Sequence, residues 1–242
     1  LGGIGFTVLS DIGRCLTGRG KLCYHSKMAL SATAVLILVP AIFYFVVESR
    51  YSLSGLGSAE RVLNAFFQSV TPRTAGFASV SQSTLAPVSR LLTIVLMFIG
   101  GGSASTAGGI KITTFFLLAF VILAELRGDP EVTVGNRSVS AATTRQALTI
   151  ALLAVMLVAS TTIVVELLSG FSFDVVLFEC TSAFATVGLS TGITADLPNS
   201  AQVVLVGLMF IGRVGTIAVA SALVLRKRTP RYHLPEEQPI IG

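Results

Sequence analysis

The sequence predicts an all-α membrane protein whose helices form two related units. Three observations predict this class. Hydrophobic side chains make up 52% of the 242 residues and charged side chains 12%, whereas soluble domains carry roughly 25% charge. Several apolar runs are about as long as a bilayer is thick. Short motifs also recur at one fixed offset along the chain. We therefore expect the lipid bilayer to surround most of the chain.

The long apolar runs are the candidate spanning helices. Residues 29–48 and 147–167 have the length of ~20 residues that crosses a ~30 Å hydrocarbon core. Residues 88–124 would form a single helix of about 55 Å, nearly twice that thickness, and residues 100–109 interrupt them with five glycines. We expect this helix to be broken. Residues 201–225 lack such an interruption and are expected to be continuous or gently bent.

Two shorter segments lie between the spans, at residues 59–73 and 172–185. They are too short to cross a bilayer, and segments of this length are typically re-entrant or interfacial. The second opens with Ser172 and Asp174, a favourable N-cap and an early acidic residue. The predicted order is therefore span, short helix, loop and span, and this order occurs twice along the chain.

An internal repeat supports this order. LMFIG occurs at 96–100 and again at 208–212, and the loops VTPRTAGF (70–77) and ATVGLS (185–190) align at the same offset, Thr74 with Thr186 and Gly76 with Gly188. Two separate features in one register indicate duplication. The sequence has no initiator methionine, and its opening LGGIGF resembles the ends of both copies. We therefore expect LGGIGF to be the tail of another copy, with more sequence upstream.

Basic residues set the predicted orientation. One side of the array carries eleven, against four on the other side (Arg50, Arg61, Arg73 and Arg90). The side rich in Lys and Arg is expected to be cytoplasmic, so the short helices enter from outside. The eleven are Arg14, Arg19, Lys21, Lys27, Arg127, Arg137, Arg145, Arg226, Lys227, Arg228 and Arg231.

The repeated threonine–glycine loops have the chemistry of a cation filter. A cation crossing lipid exchanges its hydration water for other oxygens, which rings of backbone carbonyls supply. Glycine permits the backbone angles that turn carbonyls towards an axis, and threonine adds a hydroxyl. An isolated T-x-G is an ordinary turn, but two copies in register after two short helices favour a filter. The predicted ion-binding residues are Thr74, Ala75, Gly76, Thr186, Val187 and Gly188.

The glycine-rich segment GGGSASTAGGIK (100–111) does not match a phosphate-binding loop, because Ile110 precedes Lys111 and Ile112 follows it. A flexible segment of small residues at mid-membrane either gates a pore or allows close helix packing. We favour the gate. The residues concerned are Gly101, Gly102, Ser103, Ser105, Thr106, Gly108, Gly109 and Lys111.

Five other charged residues lie within the predicted membrane region or at its edge. Arg213 is central to the last span, where it either finds a carbonyl or acidic partner or acts as an electrostatic barrier below the filter. Arg73 and Glu179 flank the filter loops and are expected to brace them, in the simplest arrangement by contacting each other. Glu48 and Glu166 close the outer ends of their spans and are either part of an acidic mouth or solvated boundary residues.

Other classes of function fit the sequence poorly. The net charge of +5 comes from residues that flank spans, so no nucleic-acid partner is expected. Cys15, Cys23 and His25 make a poor metal site. His25 and His233 fall in cytoplasmic segments far from the intramembrane serines, which disfavours a serine protease and any enzyme.

Four stretches make the sequence resemble the ion-translocating subunit of the Trk/Ktr/HKT family of potassium transporters, in particular the KtrB type. They are FFQSVTPRTAGF (66–77), GGSASTAGGIKITTF (101–115), TSAFATVGLSTGI (181–193) and MFIGRVGT (209–216). The resemblance implies units of helix, re-entrant pore helix with filter loop, and helix, placed pseudo-symmetrically around one pore. It also implies filter roles for the threonine–glycine loops, a gating intramembrane loop and a pore-facing Arg213.

The resemblance further divides the chain. Residues 1–28 would end the second repeat and enter the cytoplasm, 29–124 would be the third repeat with its filter at 74–77 and intramembrane loop at 101–110, and 147–225 the fourth with its filter at 186–189. Residues 125–146 and 226–242 would be a cytoplasmic linker and tail. The expected location is the bacterial plasma membrane, with several spans.

The implied partners are a second copy of the chain, in a homodimer, and a cytoplasmic nucleotide-binding ring. The transported ion would be potassium held by filter carbonyls, with no cofactor in this chain. Selectivity for potassium over sodium is inferred from the resemblance. A secondary transporter for an anionic solute stays open as an alternative, because broken helices also build substrate sites. So does a scaffold for oligomer contacts.

Overall fold

The computed structural model describes residues 3–18, 22–103, 105–129, 131–134 and 137–225. The predicted cytoplasmic tail, with its four basic residues, and the predicted basic residues Arg19 and Lys21 lie outside these ranges. The described helices are α1 (Phe6–Leu16), α2 (Tyr24–Glu48), α3 (Ser58–Val70), α4 (Pro87–Phe98), α5 (Ile112–Arg127), α6 (Ala141–Ser169), α7 (Phe173–Phe184) and α8 (Asn199–Leu225).

The predicted helical class and the order of elements are confirmed. The helix expected at 88–124 is broken into α4 and α5, and α8 is one continuous helix. The helices α2 and α6 begin earlier than the apolar runs predicted, at Tyr24 and Ala141. In addition, the linker folds into a short hairpin of β1 (Thr133–Val134) and β2 (Arg137–Ser138), which the sequence analysis did not predict.

Two helices meet the length and hydropathy of a membrane span among the described residues. They are α2, with 25 residues, and α6, with 29. Their outer faces are apolar and uncovered: in α2, Val39, Ile42 and Val46 are each more than 60% exposed. Unsatisfied backbone groups are costly in lipid, and a helix satisfies its own. These faces therefore suit contact with lipid tails.

The helices form two units with the same order of elements. In the first unit, α2 is followed by the short helix α3 and by the broken pair α4 and α5. In the second, α6 is followed by the short helix α7 and by the unbroken α8. The helix α4 of the first unit packs on α7 of the second, and α5 packs on α6. The two units therefore share one core.

Each unit surrounds its short helix differently. The helix α7 packs between α4, α6 and α8, and a cluster that includes Val158, Val165, Phe184, Leu205 and Leu208 fills the space between α6, α7 and α8. The helix α3 packs chiefly on α2, around Tyr44, Ala65 and Leu96. Val62, Leu63 and Phe66 of α3 stay exposed.

Glu48 corrects an expectation from the sequence. The residue is only 1% exposed, so it is neither a solvated boundary residue nor part of an open acidic mouth. One carboxylate oxygen accepts a hydrogen bond from the Ala86 amide at 3.1 Å, and the other accepts one from the Ser52 hydroxyl at 2.6 Å. Because Ala86 is the N-cap of α4, the carboxylate lies at the positive end of that helix dipole. Glu48 thus ties the end of α2 to the start of α4.

Candidate functional site

The two threonine–glycine loops share one backbone conformation. We name them the TAG loop (residues 74–76) and the TVG loop (residues 186–188). Thr74 has φ of 67° and Thr186 has φ of 53°, and they are the only non-glycine residues with positive φ in the described part of the chain. Gly76 and Gly188 follow with φ of 73° and 95°. A β-branched residue rarely adopts this region, at a cost of about 1–3 kcal/mol. The repeated strain marks both loops as functional candidates.

The two loops meet at their glycines. A Cβ atom added to Gly76 would overlap the Val187 carbonyl oxygen. A Cβ atom added to Gly188 would lie 3.8 Å from the Gly76 Cα, which is ordinary van der Waals contact. The backbone of one loop is therefore packed directly on the backbone of the other, and a side chain at position 76 has no space.

Both short helices end at these loops. After α3, the Thr71 carbonyl accepts hydrogen bonds from the amides of Ala75 at 3.1 Å and Gly76 at 3.3 Å. At the end of α7, the Ser182 carbonyl accepts a hydrogen bond from the Val187 amide at 2.9 Å. The carbonyl end of a helix is the negative end of its dipole. Both helices thus direct negative potential to the loops.

Glu179 holds the segment that leaves the TVG loop. Its side chain is buried on α7, and one carboxylate oxygen accepts hydrogen bonds from the Ser190 hydroxyl, the Thr191 amide and the Thr191 hydroxyl at 2.8, 2.8 and 2.9 Å. The other oxygen accepts one from the Thr194 hydroxyl at 2.9 Å. The carboxylate thus holds hydroxyl and amide groups from three residues of this segment. We call this set the Glu179 network.

A neutral pair occupies the corresponding place in the first unit. The Gln68 amide donates to the Gln82 side-chain oxygen at 2.9 Å, and the Gln82 amide donates back at 3.4 Å and to the Val80 carbonyl at 3.1 Å. The sequence analysis missed this Gln68–Gln82 pair. One signal was present, because Gln82 and Thr194 occupy equivalent positions of the internal repeat.

Arg73 and Glu179 do not contact each other, which corrects the simplest arrangement expected from the sequence. The Arg73 guanidinium donates to the Thr33 carbonyl of α2 at 3.4 Å, while Glu179 is engaged entirely by its own unit. Among the described residues the ion pairs are Arg14–Asp11 and Arg90–Asp174. The expected direct contact fails because the two residues lie on separate units, one beside α2 and the other on α7.

The described residues of the segment between α4 and α5, 101–103 and 105–110, form a closed loop that we name the glycine loop. Its ends are joined by backbone hydrogen bonds, from the Gly100 amide to the Ile110 carbonyl at 2.8 Å and from the Ile112 amide to the Gly101 carbonyl at 3.0 Å. Inside it, the Ser105 hydroxyl donates to the Gly102 carbonyl at 2.6 Å. The polar groups of this non-helical backbone are therefore partly satisfied internally, as mid-membrane irregular structure requires.

Further contacts attach the glycine loop to its surroundings. The Ser103 hydroxyl shares a hydrogen bond of 2.7 Å with the Thr113 hydroxyl on α5. The Gly102 amide donates to the Gly3 carbonyl at 2.7 Å. The loop is thus bonded both to the helix that follows it and to the segment that precedes α1.

The glycine loop lies directly against the TVG loop. A Cβ atom added to Gly108 would overlap the Ala185 carbonyl oxygen and would lie 2.5 Å from the Thr186 hydroxyl oxygen. That hydroxyl is buried and has no hydrogen-bond partner among the described residues. Gly109, the residue after Gly108, has φ of 68°. The close approach requires glycine at position 108.

Two basic side chains bind neighbouring carbonyls of the glycine loop. The Lys111 ammonium donates to the Ala107 carbonyl, and the Arg213 guanidinium, from α8 of the other unit, donates to the Thr106 carbonyl. Of the alternatives for Arg213, the structure therefore provides the carbonyl partner. The contact also leaves a positive charge beside the loop, so an electrostatic role is compatible with it.

The structure thus brings most of the predicted site residues together. The TAG loop, the TVG loop, the glycine loop, Lys111 and Arg213 form one contiguous region between the units. A cavity of about 320 Å³ adjoins Thr74, Ala75 and Thr106, and another of about 370 Å³ adjoins Thr186, Gly188 and Glu179. Two loops of repeated backbone conformation, each preceded by the negative end of a helix, suit the binding of a cation.

Comparison with known proteins places the fold and the loops in a family. Residues 1–231 match the sequence model of TrkH, described as a cation transport protein. The chain belongs to the TrkH family. This membership confirms the resemblance that the four motif stretches indicated. It also agrees with the expectation that the chain is not an enzyme, since the TrkH family consists of ion transport proteins.

Several curated relatives are similar along the whole chain. The chain is 37% identical to the potassium/sodium uptake protein NtpJ of Enterococcus hirae, over 100% of this chain and 55% of the relative. It is 37% identical to the Ktr system potassium uptake protein B of Vibrio alginolyticus, over 100% of this chain and 53% of the relative. The chain therefore spans about half the length of these relatives of the TrkH family.

A solved structure supports the fold independently. The potassium transporter TrkH from Vibrio parahaemolyticus superposes with a TM-score of 0.77 at 18% identity, and the match covers 93% of this chain and 50% of that one. At this identity the likeness concerns the fold alone. It agrees with the repeated, pseudo-symmetric helical units that the sequence predicted.

Proposed function

We propose that this chain contributes to the uptake of potassium, a monovalent cation, across the cell membrane through a carbonyl-lined selectivity filter. The observation that carries the proposal is the repeated conformation of the TAG and TVG loops, each with a threonine and a glycine at positive φ. The two loops are in contact, and each follows the carbonyl end of a short helix. Membership in a family of cation transport proteins supports the same conclusion.

The filter would act by replacing water. A potassium ion entering the loops exchanges its hydration shell for carbonyl oxygens at Thr74, Ala75, Thr186 and Val187, with Gly76 and Gly188 allowing the turns. The carbonyl ends of α3 and α7 stabilise the ion in the membrane. Relatives are named for potassium and for potassium/sodium uptake. We take potassium as the principal ion and sodium as its competitor.

The division of the chain follows from this proposal. Residues 29–124 would be the third pore repeat and 147–225 the fourth, with residues 125–146 as a cytoplasmic linker. The complete pore would then require two further repeats, in keeping with relatives about twice as long. The exposed apolar faces of α2 and α6 would contact lipid in a bacterial plasma membrane.

The glycine loop is proposed as the gate of this pore. It lies against the TVG loop at Gly108, where it obstructs the path below the filter. Arg213 and Lys111 hold it through the Thr106 and Ala107 carbonyls. Their positive charges also oppose the passage of a cation while the loop is in place. Opening would move the loop out of this position.

An anionic substrate is less well supported. An anion binds preferentially at helix N-termini, where backbone amides point outward. Here α3 and α7 present their C-terminal ends to the loops. The charge of Glu179 near the TVG loop also favours a cation.

The proposed assembly is a homodimer bound to a cytoplasmic nucleotide-binding ring. This part rests on the family resemblance and on relatives named as components of a Ktr system. Crosslinking of the full-length protein in membranes, followed by electrophoresis, would test the dimer. Co-purification of a soluble nucleotide-binding subunit would test the ring.

Growth under potassium limitation tests the function. The full-length gene is expressed in a bacterium that lacks its own potassium uptake systems, together with Gly76→Ser and Gly188→Ser variants. We expect the wild-type gene to restore growth at low potassium and both variants to restore it poorly, because each serine is strained at positive φ. The fraction of protein in the membrane is measured in parallel.

The outcome that contradicts the proposal is specific. If both glycine variants reach the membrane and support growth and potassium uptake at the wild-type rate, neither loop acts as a filter. If growth is restored only when an anionic solute is supplied, the alternative function replaces the proposed one.

A further inference from the structure

A buried pair of amide side chains joins the two ends of the segment that contains the TAG loop. Gln68 lies in the last turn of α3 and Gln82 in the segment after the loop, 14 residues later. The side chains are 4% and 1% exposed. In the second unit, Glu179 and Thr194 close the TVG loop across 15 residues. In both units, therefore, side chains connect the short helix to the segment that leaves the loop, the amide pair in the first unit and the Glu179 network in the second.

The amide pair fixes the distance between the end of α3 and the segment that follows the TAG loop, a distance that the backbone alone does not fix. Between Gln68 and Gln82 the chain runs through a turn, the TAG loop and an irregular segment. Within this stretch the Thr71 hydroxyl donates to the Phe77 carbonyl, while the amide pair joins its two ends. The two amides exchange hydrogen bonds, and Gln82 also binds the Val80 carbonyl at 3.1 Å. Breaking one partner would leave a buried polar group unsatisfied.

We propose that Gln68 and Gln82 are positioning residues that set the opening of the filter at the TAG loop, and hence the preference for potassium over sodium. This inference rests on the proposed function. The pair touches no transported ion and acts only through the backbone that it closes. A wider or more mobile loop holds its carbonyls less well at the distance that suits one ion, so discrimination between two ions of equal charge falls.

The contrast with the Glu179 network supports this assignment. That network joins equivalent segments of the second unit but carries a negative charge, so its loss changes both position and electrostatic potential. The amide pair is neutral and changes position alone. A change in ion preference after its removal therefore reports on loop geometry.

The test uses the full-length protein in proteoliposomes, with rubidium uptake measured against increasing external sodium and potassium. The variants are Gln68→Leu, Gln82→Leu and the double Gln68→Leu/Gln82→Leu. Replacing both partners by apolar groups of similar size removes the hydrogen bonds without leaving a buried amide unpaired. The matched control is Gln146→Leu, a half-buried glutamine at the other end of the membrane region, on α6.

We expect the double variant to unfold near the wild-type temperature but to show about a fivefold lower preference for potassium over sodium, the effect of one hydrogen bond on an equilibrium. The apparent KM for potassium should rise with it. The single variants should lose both stability and preference. The Gln146→Leu control should change neither.

Wild-type preference in a folded double variant would overturn the inference and leave the pair as a structural contact. If the double variant fails to reach the membrane, Gln82→Asn is measured instead, because its side chain is one methylene shorter and keeps the amide group. Wild-type preference in that variant overturns the inference equally. Gly76→Ser and Gly188→Ser are run in the same assay. If they alter transport while the glutamine variants do not, the inference fails and the proposed function stands.

Discussion

The two units of the molecule share an order of elements but differ in how they are supported. The short helix α7 buries Val176, Phe178, Glu179, Cys180, Thr181, Ser182, Ala183 and Phe184, whereas α3 buries Ala65, Gln68 and Ser69. The segment after the TVG loop is held by a carboxylate, and the segment after the TAG loop by a neutral pair. One loop conformation is thus reached through two different sets of contacts.

The second helix of each unit differs as well. In the first unit it is broken into α4 and α5 by the glycine loop, while in the second unit α8 runs unbroken past the aligned position and contributes Arg213. The break supplies the loop, and the unbroken helix supplies the side chain that holds it. Duplicated units have thus taken complementary parts of one site.

The largest expected effect concerns the glycines of the two loops. Gly76→Ala should reduce rubidium uptake by the full-length protein at least about tenfold, since it adds αL strain of ~1–2 kcal/mol to an overlap with the Val187 carbonyl. Gly188→Ala adds strain without the overlap and should reduce uptake less. Proteoliposome flux assays measure both.

Gly128→Ala is the control for this comparison, because Gly128 has φ of 70° and no atom near its missing Cβ. It should lower stability slightly and leave uptake unchanged. Equal losses in Gly76→Ala and Gly188→Ala would mean that contact between the loops does not distinguish the units.

The contact between α8 and the glycine loop is expected to produce the next largest effect. Arg213→Ala removes the donor to the Thr106 carbonyl, so the loop is held less firmly and the maximal uptake rate should rise about fivefold. The potassium-to-sodium preference should stay near wild type, because the TAG and TVG loops are intact. Initial rates at saturating potassium measure the effect.

Lys111→Ala should act in the same direction, since it releases the neighbouring Ala107 carbonyl. The control is Arg145→Ala, an exposed arginine at the start of α6. A loss of membrane insertion in Arg213→Ala, with no functional protein, would assign the residue to structure instead of gating.

The Glu179 network and the Gln68–Gln82 pair should contribute different amounts to the free energy of unfolding. Glu179→Gln replaces an acceptor of four hydrogen bonds by an amide that also donates, and we expect the free energy of unfolding to fall by about 2–3 kcal/mol. Hydrogen bonds to charged groups are stronger than neutral ones, so Gln68→Leu in the first unit should cost less. Thermal unfolding in detergent compares them.

Glu166→Gln is the matched control, a half-buried glutamate near the end of α6. It should change the unfolding temperature little. A stability loss in Gln68→Leu that equals or exceeds that of Glu179→Gln would contradict the ranking of the two closures.

The smallest expected effect concerns the ion pair that joins the two units at the N-terminal ends of α4 and α7. Arg90 and Asp174 lie 2.7 Å apart, and the pKa of Asp174 is lowered by the Ser172 hydroxyl and by Arg90. A lowered pKa means that the carboxylate adds stability above its ordinary value near 4 and loses it as the pH falls below that. Asp174 is largely exposed, so the contribution is at most about 1 kcal/mol.

Asp174→Asn should therefore lower the unfolding temperature slightly at pH 7, and the difference from wild type should shrink as the pH falls below the ordinary pKa near 4. Asp196→Asn, at another exposed aspartate, is measured as the control for the removal of a surface carboxylate. A constant difference across this pH range would exclude the carboxylate as its source.

Much of the fold could be predicted because its signals are local or repeated. Apolar run lengths located α2 and α6, the glycines located the break between α4 and α5, and the offset of the internal repeat located both loops. The glycine loop and Arg213 were also chosen from single features, namely small residues and a charge at membrane depth.

The remaining contacts depend on which segments meet, and no local pattern contains that information. Glu48 looked like a boundary residue because its partner, the Ala86 amide, lies 38 residues away. Arg73 and Glu179 were paired by charge, yet Arg73 donates to a carbonyl of α2 and Glu179 accepts from hydroxyl and amide groups of its own unit. The Gln68–Gln82 pair was missed because glutamine is usually exposed.

The bond between the Gly102 amide and the Gly3 carbonyl links the glycine loop mechanically to the start of the chain. Gly3 leads into α1, whose Asp11 accepts a hydrogen bond from Ser26 on α2 at 2.6 Å. A displacement of the loop either breaks the bond at Gly3 or carries the first residues with it. A force applied to α1 would therefore reach the glycine loop through the short segment that precedes this helix.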